Sequence, residues 1–102
     1  MFLGKAMTDI AGIIQSPLFA KQKEKLHKQQ IQELDKAIKA ILKEPSKGKQ
    51  KKGDLKGVQV YKFKLNSQLV LIAYGVIGTI LYLYTFGSHE NFYRGLKKYL
   101  ND

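Results

Sequence analysis

Val58-Gln59-Val60-Tyr61-Lys62-Phe63-Lys64-Leu65 is followed by Asn66-Ser67-Gln68, by Leu69-Val70-Leu71-Ile72-Ala73-Tyr74-Gly75-Val76-Ile77-Gly78, and by Thr79-Ile80-Leu81-Tyr82-Leu83-Tyr84-Thr85-Phe86. The first run alternates: Tyr61, Phe63 and Leu65 fall on one face of a strand, and Val58, Val60, Lys62 and Lys64 on the other. Asn66-Ser67 is a turn signal. The 18 residues from 69 to 86 carry no charge and are flanked by lysines, so they are long enough to cross a bilayer as one helix. Their richness in Val, Ile, Thr and Tyr, with Gly75 and Gly78 bracketing the middle, instead fits two buried strands, 69–76 and 79–86, joined by a turn near 75–79. The expectation is a three-strand antiparallel meander and no membrane span.

Upstream, residues 10–15 form a short apolar stretch, read as a fourth strand. Ser16-Pro17 reads as helix N-cap and first helical residue: the serine oxygen takes an orphan amide, and proline lacks the amide that would be wasted there. A short charged helix over 18–27 carries Phe19 and Leu26. Ile31, Leu34, Ile38, Ile41 and Leu42 recur at helical spacing and define a second amphipathic helix that Pro45 ends. Residues 45–57 read as a loop bearing Lys47, Lys49, Lys51, Lys52 and Lys56, either a solvated surface loop or a nucleic-acid contact. Downstream, Gly87-Ser88 leads into a last helix with Ser88 as N-cap and Phe92, Leu96 and Tyr99 on its buried side; Gly95 weakens it by about 1 kcal/mol. The expected class is α+β: an antiparallel, twisted four-stranded sheet with an N-terminal helical hairpin and a C-terminal helix. Residues 1–102 are read as one domain, with 1–9 as a flexible extension.

Eighteen basic residues against eight acidic give +10 in a 102-residue chain, which calls for an anionic partner: nucleic acid, an anionic membrane or an acidic protein. All but Arg94 of that positive charge is lysine, suited to phosphate backbones rather than bidentate base reading. No cysteine is present, which excludes disulfides and thiolate zinc sites. His27 and His89 lie too far apart for metal-ligand spacing, so neither metal nor cofactor is expected. No long apolar leader stands at the N-terminus, and the expected location is cytoplasmic.

The densest chemistry is in Phe86-Gly87-Ser88-His89-Glu90-Asn91-Phe92-Tyr93-Arg94-Gly95-Leu96-Lys97. His89 sits in the first turn of the last helix; an imidazole changes protonation near neutral pH, as a general acid or base must. Tyr93, four residues on, shares its helix face, where it can stack on a base, bond a phosphate oxygen, or simply pack. Arg94 points a third of a turn away, available for phosphate or solvent. Lys62 and Lys64, about 7 Å apart along the strand, either stabilise a pentacoordinate phosphorane or protect a sheet edge. His27, among lysines on a polar helix face, is read as solvent-exposed.

With Gly53-Asp54-Leu55-Lys56-Gly57, the strand Val58-Gln59-Val60-Tyr61-Lys62-Phe63-Lys64 and the block Gly87-Ser88-His89-Glu90-Asn91-Phe92-Tyr93 in view, the chain resembles a toxin of the RelE/ParE superfamily, HigB-like or RelE-like, of a type II toxin–antitoxin system. The likeness runs from about Ile10 to the end. It implies a cognate antitoxin and ribosome-dependent, metal-free cleavage of mRNA in the decoding site, by attack of a 2′-hydroxyl on the adjacent phosphate. Lys62 and Lys64 match two strand lysines that RelE enzymes use. His89 falls where RelE has a catalytic arginine and several relatives have histidine, and Tyr93 lies near a substrate-holding tyrosine or phenylalanine. Lys49, Lys51, Lys52, Lys56 and Arg94 would meet RNA and ribosome. One departure stands out: where RelE enzymes carry a further arginine on the middle strand, this chain has Leu71. ParE-type relatives, which inhibit DNA gyrase without cleaving RNA, are the alternative.

Overall fold

The computed structural model describes residues 10–50, 57–89, 92–94 and 96. Strand β1 (Gly12–Gln15) leads into helices α1 (Pro17–Glu24) and α2 (Lys28–Lys43), then a 3-10 turn (Pro45–Lys47). The strands β2 (Lys49–Gln50), β3 (Gln59–Leu65), β4 (Gln68–Ile77) and β5 (Ile80–Ser88) follow. Helical backbone resumes at residue 89, at 92–94 and at 96. The strands form one sheet in the order β1-β5-β4-β3-β2.

The meander is as expected, and each turn has its chemical reason. Asn66 and Ser67, between paired Leu65 and Gln68, both have positive φ (53° and 66°), the pattern of a type I′ hairpin. Gly78 alone has positive φ (64°) in the two-residue turn between paired Ile77 and Ile80, as type II′ requires. Gly75, expected near the turn, lies inside β4 instead. A Cβ there would stand 2.7 Å from the Tyr84 hydroxyl oxygen, so its role is to let that ring lie against the strand.

The α+β class with hairpin helices and a C-terminal helix is observed, with two corrections to the sheet. It has five strands rather than four, because the lysine-rich segment contributes the 3-10 turn and the short β2. It is also not wholly antiparallel: β1 runs parallel to β5, in register Gly12↔Ile80 to Gln15↔Leu83. A short edge strand can pair either way, and nothing in its pattern encodes its neighbour. Helix α1 ends at Glu24, before His27, which heads α2 and whose backbone N–H donates to Gln30 Oε1 at 2.9 Å. His27 is exposed, as read. The expected extension 1–9, Gly95 and Tyr99 lie outside the described residues.

The sheet has apolar cores on both faces. On one, Phe19 of α1 and Leu34, Ile38 and Ile41 of α2 pack on Leu65, Ile72, Leu81, Leu83 and Phe86, with Tyr61 and Phe63 at the margin. On the other, Phe92 and Leu96 cover Val58, Val60, Leu71 and Ala73. Strand β5 changes face-parity midway. Ala73 pairs with Thr85 but Tyr74 with Leu83, so Tyr84 is an inserted bulge residue. That insertion lets Leu83 and Phe86, three apart, reach the same core, and it sets which way Gly87 faces.

Candidate functional site

The site is built by sheet register. Lys62 pairs with Leu71, and Leu71 with Gly87; the preceding row is Phe63, Val70 and Ser88. Facing residues of antiparallel strands project to the same side, and Leu71 is buried beneath Phe92 and Leu96. Lys62 therefore projects on the face that carries the terminal helix, and so does Lys64, two residues on. Both are exposed. Strand β5 runs without a linker through Ser88 into helical backbone at His89. Ser88, expected as a cap outside the sheet, is thus also the last paired residue of β5. His89 comes next, where the row of Lys64 and Leu69 would continue. From β3 to β5 across this row is two strand spacings, about 10 Å.

Between the lysines and the imidazole the surface is left open by Gly87. A Cβ built there meets nothing within 4 Å, and its φ lies outside the left-handed region, so conformation does not demand a glycine. Its cross-strand neighbour Leu71 is fully buried under Phe92 and Leu96 and adds no exposed surface. Register thus sets Lys62 and Lys64 on the sheet face that carries the helix headed by His89, with open space over Gly87. Without the bulge at Tyr84, strict alternation from Leu83 would turn Gly87 toward the helical hairpin. Neither Gly87 nor the bulge was singled out from sequence. The readable signal was the interval of three between Leu83 and Phe86, where alternation requires two.

The exposed His89 ring stands edge-on to Tyr93, centroids 6.4 Å apart at 82°, and Tyr93 is itself edge-on to Phe92 at 4.9 Å. Buried Phe92 thus props the tyrosine, which props the histidine: a polar pair on an apolar support. Arg94 is exposed on the same helix. Lys49, also exposed, lies on β2 opposite Val60. Lys51, Lys52 and Lys56 lie outside the described residues. The arrangement can bind a phosphodiester electrostatically and present an imidazole and a phenol to it.

The sequence model for the ParE-like toxin of type II bacterial toxin–antitoxin systems matches residues 13–97. No curated protein matches the chain significantly. Among solved structures, the chain superimposes on a double mutant of the E. coli toxin RelE in the free state, with a TM-score of 0.61 and 21% identity over 84% of this chain and 94% of that one. For the intact E. coli RelBE toxin–antitoxin complex the TM-score is 0.59 at 22% identity, covering 74% and 93%. E. coli YafQ gives 0.50 at 18%, covering 79% and 96%. At such identities the structural matches speak for the RelE-like fold. The family model spans most of the chain and settles membership: this protein belongs to the ParE-like toxins of type II bacterial toxin–antitoxin systems.

Proposed function

We propose that this toxin is a ribosome-dependent mRNA endonuclease and that a cognate antitoxin neutralises it. The 2′-oxygen of the target nucleotide attacks the adjacent phosphorus, forming a new P–O bond and yielding its proton to a base. The bond to the 5′-oxygen of the next nucleotide breaks, and that oxygen takes a proton from an acid. His89 with Tyr93 serves the proton transfers, Lys62 and Lys64 stabilise the phosphorane, and Lys49, Lys51, Lys52, Lys56 and Arg94 hold RNA and ribosome. The observation that carries this reading is the shared sheet face of Lys62, Lys64 and the helix headed by His89, open at Gly87. An antitoxin of acidic surface would fit over the same face; the E. coli RelBE toxin–antitoxin complex is the precedent for a toxin of this fold paired with an antitoxin.

The test is toeprinting of a translated message in a purified translation system. Removing one preorganised electrostatic donor lowers turnover roughly 10²–10³-fold, so His89→Ala and Lys62→Ala/Lys64→Ala should each abolish detectable cleavage. Gly87→Val should do the same while keeping the parent's thermal stability, because its side chain enters open space. Undiminished cleavage by all three variants rejects the site. A gyrase-directed reading is favoured by one observation, the buried, apolar Leu71 where RelE enzymes carry an arginine. It predicts inhibited supercoiling with intact transcripts.

A further inference from the structure

Helix α2 carries a basic stripe away from its core side. Lys36, Lys39 and Lys43 are exposed at intervals of three and four, and Lys47 of the 3-10 turn continues the line. The first three span about 10 Å of helix axis. Beside the stripe runs an open trough in two parts that share Lys36, of about 420 and 380 Å³. The second part reaches the outer side of β3, where Tyr61, Phe63 and Lys64 line it. The Tyr61 and Phe63 rings lie nearly parallel there, 14° apart with centroids 6.4 Å apart. Among the described residues β2 pairs with β3 only at Gln59 and Val60, so no strand closes the trough at the aromatic end.

We propose that this trough is a binding path for single-stranded RNA, with phosphates along Lys36, Lys39, Lys43 and Lys47 and bases against Tyr61 and Phe63. A cationic groove that follows a backbone, with aromatic faces for stacking, is the general solution for single strands. Small side chains, Ala37 and Ala40, separate the lysines and provide no deep apolar socket of the kind a peptide anchor needs. Two carboxylates border the trough: Glu33, whose oxygen accepts the Asn66 backbone N–H at 3.1 Å, and Glu44. Against them stand five lysines, so the balance favours a polyanion. Lys64 lines the trough and is also one of the two strand lysines of the candidate site, so the two regions adjoin at β3. The inference deepens the RNA-cleaving reading, but its test needs neither ribosome nor cleavage.

Fluorescence anisotropy with a labelled oligouridylate of about twelve nucleotides, titrated at several salt concentrations, reads the trough directly. Each phosphate neutralised adds about −0.7 to the slope of log K against log salt for a single strand. Lys36→Gln/Lys39→Gln/Lys43→Gln should therefore flatten the slope by about 2. Tyr61→Leu/Phe63→Leu, which keeps apolar bulk but removes the stacking faces, should weaken binding about ten-fold with the slope unchanged. Gln29→Ala, exposed on α2 outside the trough, should bind like the parent, and since no cleavage is read, a failed cleavage assay and a failed trough are separately visible. Equal slopes for parent and triple-glutamine variant would overturn the proposal. So would a triple variant that keeps RNA but loses a polyglutamate peptide, which would make the trough a peptide site.

Discussion

A single phenol ties the lysine-rich segment to the sheet. Tyr74 sits fully buried in the middle of β4. Its hydroxyl oxygen accepts the Gly48 N–H at 2.9 Å and lies 2.5 Å from the Pro45 carbonyl oxygen and 3.0 Å from Gln59 Oε1. With one proton it donates to only one of those two oxygens at a time. Both ends of the segment, residues 45–48 and residue 59, thus converge on one atom. Tyr74→Phe would leave the Gly48 N–H without its partner, at a cost of about 1–3 kcal/mol, measurable by urea denaturation. Burial holds the phenol above its ordinary value near 10, with a smaller push from nearby Tyr61 and partial relief from the Gly48 N–H. A native value above the unfolded one means the folded state keeps the proton longer. The stabilisation is therefore complete below pH 10 and lost as pH rises through the native value. Tyr74→Phe should flatten the alkaline fall in stability, and a profile as steep as the parent's would refute this assignment. Gly48→Ala attacks the same contact from the other side: its Cβ would stand 2.5 Å from the hydroxyl oxygen and 2.8 Å from the ring. It should cost about 1–3 kcal/mol as overpacking.

At the scale of elements, the junction of β1 and α1 rests on Ser16. Its Oγ accepts the Phe19 N–H at 2.9 Å, capping α1, and donates to the Tyr84 carbonyl at 2.6 Å, while its own N–H reaches the Leu83 carbonyl at 2.9 Å. Where β1 ends, Gln22 of α1 takes over the outer edge of β5, its Oε1 accepting from the Phe86 N–H and Thr85 Oγ1. Ser16→Ala loses a cap and leaves a carbonyl short of a donor, so about 1–3 kcal/mol of stability should go; equilibrium denaturation with no measurable change would refute the dual role. The cap was legible in the sequence because Ser-Pro ahead of an apolar period has one common meaning. The second bond, 68 residues distant, was not, and neither was the parallel pairing of β1. Alternation in 58–65 correctly sorted Tyr61, Phe63 and Leu65 from Lys62 and Lys64, since each face met a different core. The opening at Gly87 stayed hidden because its facing depends on the bulge at Tyr84, a break in the very period used to read strands. Tyr74 was passed over inside an apolar run, although a buried hydroxyl must always find a partner.

For the whole molecule, the charge of +10 opposes compaction. Among the described residues one ion pair, Lys23 with Asp35 at 3.2 Å, offsets it. That pair is partly exposed and worth at most about 1 kcal/mol. Lysines on α2, β2, β3 and the 3-10 turn spread the repulsion over several elements, so no single substitution removes it. Screening does, because the Debye length falls from about 10 Å at 0.1 M salt to about 3 Å at 1 M. The free toxin's melting temperature should therefore rise by several degrees between about 0.1 and 1 M sodium chloride. Binding to an RNA or to an acidic antitoxin should weaken over the same range, since both depend on the field that salt removes. The two slopes have opposite sign for one physical reason. Triple replacement of Lys36, Lys39 and Lys43 by glutamine should reduce both together, by lowering the density of positive charge. A melting temperature that falls with salt in the parent would mean that attraction, not repulsion, dominates the surface, and the lysines of α2 and β3 would then need another explanation.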